Sequence, residues 1–113
     1  MKKIEIITRP EKLGGIKNIL LTHDCEGLTV LSVMGSGKQR GYIDEMHFSG
    51  EDINLLPKIL IFTVVEDEKC DGILADIASI IGTGKTGDGK VFITDIEDAM
   101  RIRTNERGLD AIN

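Results

Sequence analysis

Aromatic residues are scarce in this chain: one tyrosine, three phenylalanines and no tryptophan among 113 residues. A surface that stacks RNA bases needs aromatic platforms and a basic field. The formal net charge is instead −5, so both features argue against a nucleic-acid partner. Long hydrophobic runs are missing as well. The longest, Ile59 to Val65, contains Thr63 and is far too short to cross a bilayer. The opening Met1-Lys2-Lys3-Ile4-Glu5 carries no apolar h-region, so neither a signal peptide nor membrane insertion is expected, and the expected location is cytoplasmic. Cysteine is nearly absent: Cys25 and Cys70 lack CxxC spacing and clustered histidines, which points to reduced thiols. What remains is ordinary globular usage, 41% apolar and 29% charged, over a length that fits one domain, residues 1–113. A domain of that size holds a modest core, and oligomerisation would help it.

What the chain does have is a glycine loop. Thr83-Gly84-Lys85-Thr86-Gly87-Asp88-Gly89-Lys90 runs straight into Val91-Phe92-Ile93. Glycines supply exposed N–H groups and freedom for positive φ, and the lysines add fixed charge; together they suit a polyphosphate. Gly82 to Gly87 reads as a dinucleotide fingerprint, and Gly84 to Lys90 as a Walker A loop with Val91 in place of Ser or Thr. Both motifs must leave a strand and open a helix. Here a helical pattern precedes the loop and a strand pattern follows it. An anion loop of another architecture remains.

Periodicity gives the frame. Lys3 to Thr8 alternates as a strand. Pro10 starts a helix with Leu13, Ile16, Ile19 and Leu20 on one face, weakened by Gly14 and Gly15. Leu28 to Met34 is a second strand, and Lys58 to Val65, following Pro57, is a near-continuous apolar third of the kind a central strand shows. A second helix carries Cys70, Ile73, Leu74, Ile77 and Ile81 on one stripe, and Val91 to Ile96 is the last strand. The βαββαβ order predicts an α+β, ferredoxin-like fold, an antiparallel sheet with two helices on one face. Lys3-Ile4-x-Ile6-x-Thr8 recurs as Lys58-Ile59-x-Ile61-x-Thr63, which fits a duplication, although strand alternation alone produces part of the match.

Between Met34 and Pro57 lies a connector with little periodicity, opening Gly35-Ser36-Gly37-Lys38-Gln39-Arg40-Gly41. So long a connector inside a compact domain is usually functional or disordered. Tyr42, Ile43, Met46 and Phe48 stand beside Asp44, Glu45, Glu51 and Asp52, a mixture suited to docking on another protein. The alternative is a hairpin tip without a role.

These pieces together resemble the PII nitrogen-regulatory signal proteins, nearly end to end. Thr83, Gly87-Asp88-Gly89-Lys90, Val91 and Phe92 match the family's glycine-loop signature. Arg101-Ile102-Arg103-Thr104 with Glu106-Arg107-Gly108 resembles its C-loop, and Gly35 to Gly41 with Leu56-Pro57-Lys58 resembles the two ends of its T-loop. The resemblance sets a T-loop at about 36–56, between strands two and three, a B-loop at about 82–90 and a C-loop at about 101–109.

The resemblance implies a homotrimer with ATP or ADP in clefts between neighbours. Gly87, Asp88, Gly89 and Lys90 of one subunit would hold phosphates, and Arg101 and Arg103, alternating along an extended segment, would reach them from the next. Gly27, Leu28, Thr29 and Val64 would take adenine, and Gly35, Gly37 and Lys38 complete the nucleotide set. It also implies 2-oxoglutarate, chelating an ATP-bound Mg²⁺ together with Gln39. Its carboxylates would meet N–H groups of Gly37, Arg40 and Gly41 and the charges of Lys58 and Arg9. No catalytic residue and no enzymatic activity are implied. The T-loop would then select a target: an ammonium transporter, glutamine synthetase, nitrogenase or another nitrogen regulator.

Some positions depart from the family. The loop tip reads Met46-His47-Phe48-Ser49-Gly50-Glu51. Glu51 replaces the tyrosine that many relatives have nucleotidylated, which excludes that modification there. Ser49 stands where some relatives are phosphorylated, and His47 replaces the arginine that plugs ammonium channels. Phe62 stands where an acidic residue often holds the ribose. A PII-like regulator with a dedicated target such as nitrogenase, or with a changed effector, is the alternative. A small ferredoxin-like enzyme such as an acylphosphatase would need a paired acid and base, and His23 and His47 show no orienting partner at a suggestive spacing.

Overall fold

The computed structural model describes residues 1–36 and 55–113. Strand β1 (Lys2–Thr8) leads through a 3-10 turn (Pro10–Lys12) into helix α1 (Leu13–Thr22). Strands β2 (Thr29–Gly35) and β3 (Leu56–Val65) follow. Helix α2 (Asp67–Asp76) continues as a π turn (Ile77–Ile81), then come β4 (Lys90–Asp95) and the short helix α3 (Leu109–Ile112). The sheet order is β2-β3-β1-β4, every neighbour antiparallel. This is the expected ferredoxin-like arrangement.

The strands shift by one or two residues from the sequence reading. β3 begins at Leu56 and takes Pro57 into the strand. Pairing with β1 starts only at Ile59, whereas β2 already pairs at Leu56. At Pro57 the strand therefore has a neighbour on one side only, where a residue without an N–H is tolerated. β4 begins at Lys90, which pairs with Ile7, so that lysine belongs to the sheet rather than to the loop. The second helix also changes pitch: Gly82 N–H donates to the Ile77 carbonyl in a widened turn. Cys70, Ile73, Ile77 and Ile81 nevertheless stay buried on one stripe.

One face of the sheet carries the core. Alternate residues Ile4 and Ile6 of β1 and Ile59, Ile61 and Val65 of β3 pack on Ile16, Ile19 and Leu20 of α1 and on the α2 stripe. Gly15 has a reason to be glycine: a Cβ there would lie 2.7 Å from Cδ1 of Ile81. The helix propensity given up, about 1 kcal/mol, accompanies a close approach of α1 to the π turn. The register puts Thr29, Phe62, Glu5 and Phe92 in one row of the other face, and Leu31, Leu60, Ile7 and Lys90 in the next. Leu31 is 45% and Phe92 50% exposed there. The cysteines are both free, and no helix among the described residues is long and apolar enough to cross a membrane.

Candidate functional site

The loop between α2 and β4 is organised by one carboxylate. Asp88 turns back into its own loop and accepts from the N–H of Thr83 at 2.8 Å, the N–H of Gly84 at 2.9 Å and the Thr83 hydroxyl. The Thr83 hydroxyl first, then these N–H groups, hold the Asp88 carboxyl below the ordinary carboxylate range. The end of β1 and the residue after it fasten the loop from outside: the Thr8 hydroxyl donates to the Asp88 carbonyl at 2.8 Å, and Arg9 Nη2 to the Thr86 carbonyl at 3.0 Å. Gly89 sits at φ +104, and a Cβ on it would stand 2.0 Å from the Ile7 carbonyl oxygen. Only glycine fits there.

What the brace leaves over is an anion cradle. Residues 86–87 form a turn, with Gly87 at φ 99 and Gly89 at φ 104, a backbone shape that suits the N–H groups of residues 87–89 to an anion. The exposed ammonium of Lys90, the first residue of β4, pairs with no carboxylate there. Asp88 was expected among the ligand contacts through its main-chain N–H; its carboxylate is spent inside the loop.

A second half-site lies at the β2 edge. Asp24, at φ 57, turns the chain out of α1, and the buried Thr63 hydroxyl donates to the Gly27 carbonyl, tying residues 27–29 to β3. Gly27, Leu28, Thr29 and Val64, the expected base contacts, line one cavity of about 330 Å³ with Phe62. That lies at the small end of the range for small-molecule pockets. Lys3 Nζ stands 4.6 Å above the centroid of the Phe62 ring, a cation–π contact that fixes the ring in a lysine's field. Asp24, Cys25, Glu26, Glu66 and Lys69 complete the rim, together with residues 111–113. Sequence reading missed these rim residues, because no spacing links residues 24–26 to residues 66–69 or 111–113.

Arg101 reaches this edge. Its Nη1 donates to Glu106 at 3.0 Å and its Nη2 to the main-chain oxygen of Asn113, which itself lines the cavity. Residues 101–105 form a turn and not the expected extended segment: the N–H of Asn105 donates to the Arg101 carbonyl at 2.8 Å, and Asn105 adopts φ 63. Met100 pairs with Arg107 across the reversal, and Asp98 holds its ends through Arg107 and the N–H of Gly108. Arg101 and Arg103 therefore do not alternate along a strand; Arg103 is exposed in the turn.

At the opposite end of β3, Lys58 crosses Gly35, whose hypothetical Cβ would lie 3.2 Å from Lys58 Cγ. Burial first, and then the charge of Arg9, push the Lys58 pKa down. Nε of Arg9 is itself buried with no partner among the described residues. Two cations side by side, one with an unused donor, favour a multiply charged anion. Gly37, Lys38, Gln39, Arg40 and Gly41, with Ser49 and Glu51, lie outside the described residues. His23, read as lacking an orienting partner, has one in Asp76, 2.7 Å from Nε2 and 53 residues away, which joins the ends of the two helices. Cys25 Sγ contacts the His23 carbonyl rather than the ring, so no thiol–imidazole dyad is formed.

The family profile described as "Nitrogen regulatory protein P-II" matches residues 1–106. The chain belongs to the P-II family. Nitrogen regulatory protein P-II of Rhizobium meliloti is 38% identical over 112 residues, 99% of this chain and 100% of the relative. Nitrogen regulatory protein P-II 2 of Methanothermobacter thermautotrophicus is 43% identical over 112 residues, 99% of this chain and 97% of the relative. A crystal structure of Arabidopsis thaliana PII bound to citrate superposes with a TM-score of 0.78 at 29% identity, covering 98% of this chain and 88% of that one. The chain is a nitrogen regulatory protein of the P-II type.

Proposed function

We propose that this P-II protein is a cytoplasmic homotrimer that binds ATP or ADP between neighbouring protomers and 2-oxoglutarate beside the nucleotide. Occupancy then decides which nitrogen-metabolism target the segment 36–56 engages; the protein regulates and does not catalyse. One observation carries the reading: the two half-sites of a single chain are too far apart to meet on one nucleotide comfortably. The slot lies at the end of β3 beside the start of β2, and the cradle just ahead of β4; from β3 to β4 is two strand spacings, about 10 Å, and Val64 and Lys90 pair with Lys3 and Ile7 of β1, about 14 Å apart along the strand. An edge-to-edge contact that repeats head to tail closes into a ring, and it would bring the cradle of one protomer to the slot of the next. The helix-free face, with Leu31, Leu60, Ile7, Phe62 and Phe92 in its rows, supplies the apolar surface such a ring would cover.

In this reading the N–H groups of Gly87, Asp88 and Gly89 and the Lys90 ammonium take the phosphates, and Arg101 and Arg103 approach from the neighbour. Gly35, Gly37 and Lys38 border the phosphates, while the Gln39 amide oxygen and the triphosphate hold Mg²⁺, whose preference is for hard oxygens. Arg9 and Lys58 take a carboxylate of 2-oxoglutarate, with N–H groups of Gly37, Arg40 and Gly41 around it. A ligand of this kind shifts a loop only by its differential affinity for the loop's states. Targets of the matching class are an ammonium transporter, glutamine synthetase, nitrogenase or another nitrogen regulator.

Calorimetry tests the reading. ATP with Mg²⁺ and 2-oxoglutarate should bind cooperatively, Lys90→Ala or Arg103→Ala should weaken ATP without dissolving the trimer, and Gln39→Ala should lose the keto acid alone. Keto-acid binding undiminished without ATP or metal would refute the shared chelate. A changed carboxylate effector is the second reading, favoured by the Arg9–Lys58 cation pair and by the citrate held by the Arabidopsis relative. Citrate as competitor separates the two.

A further inference from the structure

The segment after the 101–107 reversal is not a loose end. Two of its N–H groups are tied down: Ala111 donates to the Gly108 carbonyl at 3.0 Å and Asn113 to that of Leu109 at 3.2 Å. Asn113 Nδ2 donates to Glu66 Oε1 at 2.7 Å, and its main-chain oxygen accepts from Arg101. One anchor is thus on the rim of the slot, immediately after β3, and the other is on a candidate phosphate arginine. Held this way, Ala111, Ile112 and Asn113 line the same cavity as Leu28, Phe62 and Val64. Without them the cavity would lose three of its lining residues.

We propose that residues 109–113 form a wall of the base slot, with Ile112 and Ala111 as apolar contacts for the base and Asn113 as the clasp. The inference rests on the nucleotide reading above and adds a binding element to it. The base then enters a slot whose walls come from one chain and are formed beforehand, so little ordering cost falls on binding. The clasp takes one N–H of Arg101, through Nη2, and Glu106 takes another, through Nη1, out of the five a guanidinium offers. The rest stay available to a phosphate, so base wall and phosphate contact are held by one hydrogen-bonded unit.

The test compares ATP, adenosine and inorganic tripolyphosphate on the full-length protein by calorimetry, with oligomeric state checked by sedimentation. Ile112→Asn should weaken ATP and adenosine about tenfold, as expected when a polar group replaces an apolar side chain against the base, and leave tripolyphosphate unchanged. Ile112→Val should restore most of the affinity. Deletion of residues 109–113, a second route should the point variant fold poorly, should weaken ATP further. ATP binding equal to or tighter than that of the native chain in both altered proteins overturns the wall, as does an equal weakening of tripolyphosphate in Ile112→Asn. A native chain that binds no ATP refutes the nucleotide reading and the wall with it, a result distinct from the other two.

Discussion

Thr83 gives Asp88 both its hydroxyl and its N–H, and Gly84 adds a third donor to the same carboxylate. The acid in the middle of the anion loop is therefore the loop's internal brace, and the repulsion it would exert on a phosphate is offset by the donors it holds. Asp88→Ala frees those donors and lets the loop open. ATP affinity should fall about tenfold or more, because charge-assisted hydrogen bonds that shape the site are removed. The melting temperature should change little, because the loop lies outside the core. Titration calorimetry and thermal melting check this together; a variant that binds ATP as well as the native chain shows that the brace does not shape the site.

Gly89 gives a prediction of the opposite kind. Gly89→Ala must place a methyl group 2.0 Å from the Ile7 carbonyl oxygen at φ +104. Relief requires moving β1 or the loop, so the variant should lose about 3 kcal/mol of stability as well as nucleotide binding. Denaturant unfolding measures it. Gly84→Ala, with open space around its position but φ +78, should cost only about 1 kcal/mol.

Lys58 predicts a pH dependence. Its folded pKa lies below the ordinary lysine value, through burial and then Arg9, so the folded chain holds the charged form less readily than the unfolded chain. Its charge therefore opposes folding at neutral pH, and that opposition is relieved as pH rises through the lowered pKa. A bound carboxylate acts the other way and favours the ammonium. Affinity for 2-oxoglutarate should fall as pH rises through the lowered Lys58 pKa, before an ordinary lysine would titrate, and binding should take up protons. Lys58→Arg, charged throughout, should flatten the profile. A native profile already flat over that range contradicts the carboxylate assignment to Lys58.

The frame of this fold is written locally. Alternation in residues 3–8 and 58–65 and stripes of isoleucine every three or four residues each name their element, and the sheet pairs them as that order requires. The anion loop is legible for the same reason, being a run of adjacent residues. The slot is half legible. Gly27, Leu28, Thr29 and Val64 are reached through family resemblance, whereas Glu66, Lys69 and residues 111–113 join them through folding across long chain separations. Side-chain direction is invisible too: nothing in Gly-Asp-Gly-Lys says that the aspartate faces inward. The reversal at 101–107 does carry a local signal, since Asn105 and Gly108 are residue types that tolerate positive φ, and both adopt it.

The central claim is that one nucleotide is shared by the slot of one protomer and the cradle of the next. Two altered chains test it most directly: one with Lys90→Ala and Asp88→Ala in the cradle, the other with Val64→Asp in the slot. Each alone should bind no ATP. Unfolded and reassembled together in equal amounts, they should recover about a quarter of the native sites, because every mixed ring contains one junction of intact slot with intact cradle. Recovery near that level is the predicted result. No recovery from rings shown to be mixed, or full binding by a dissociated single chain, would contradict it.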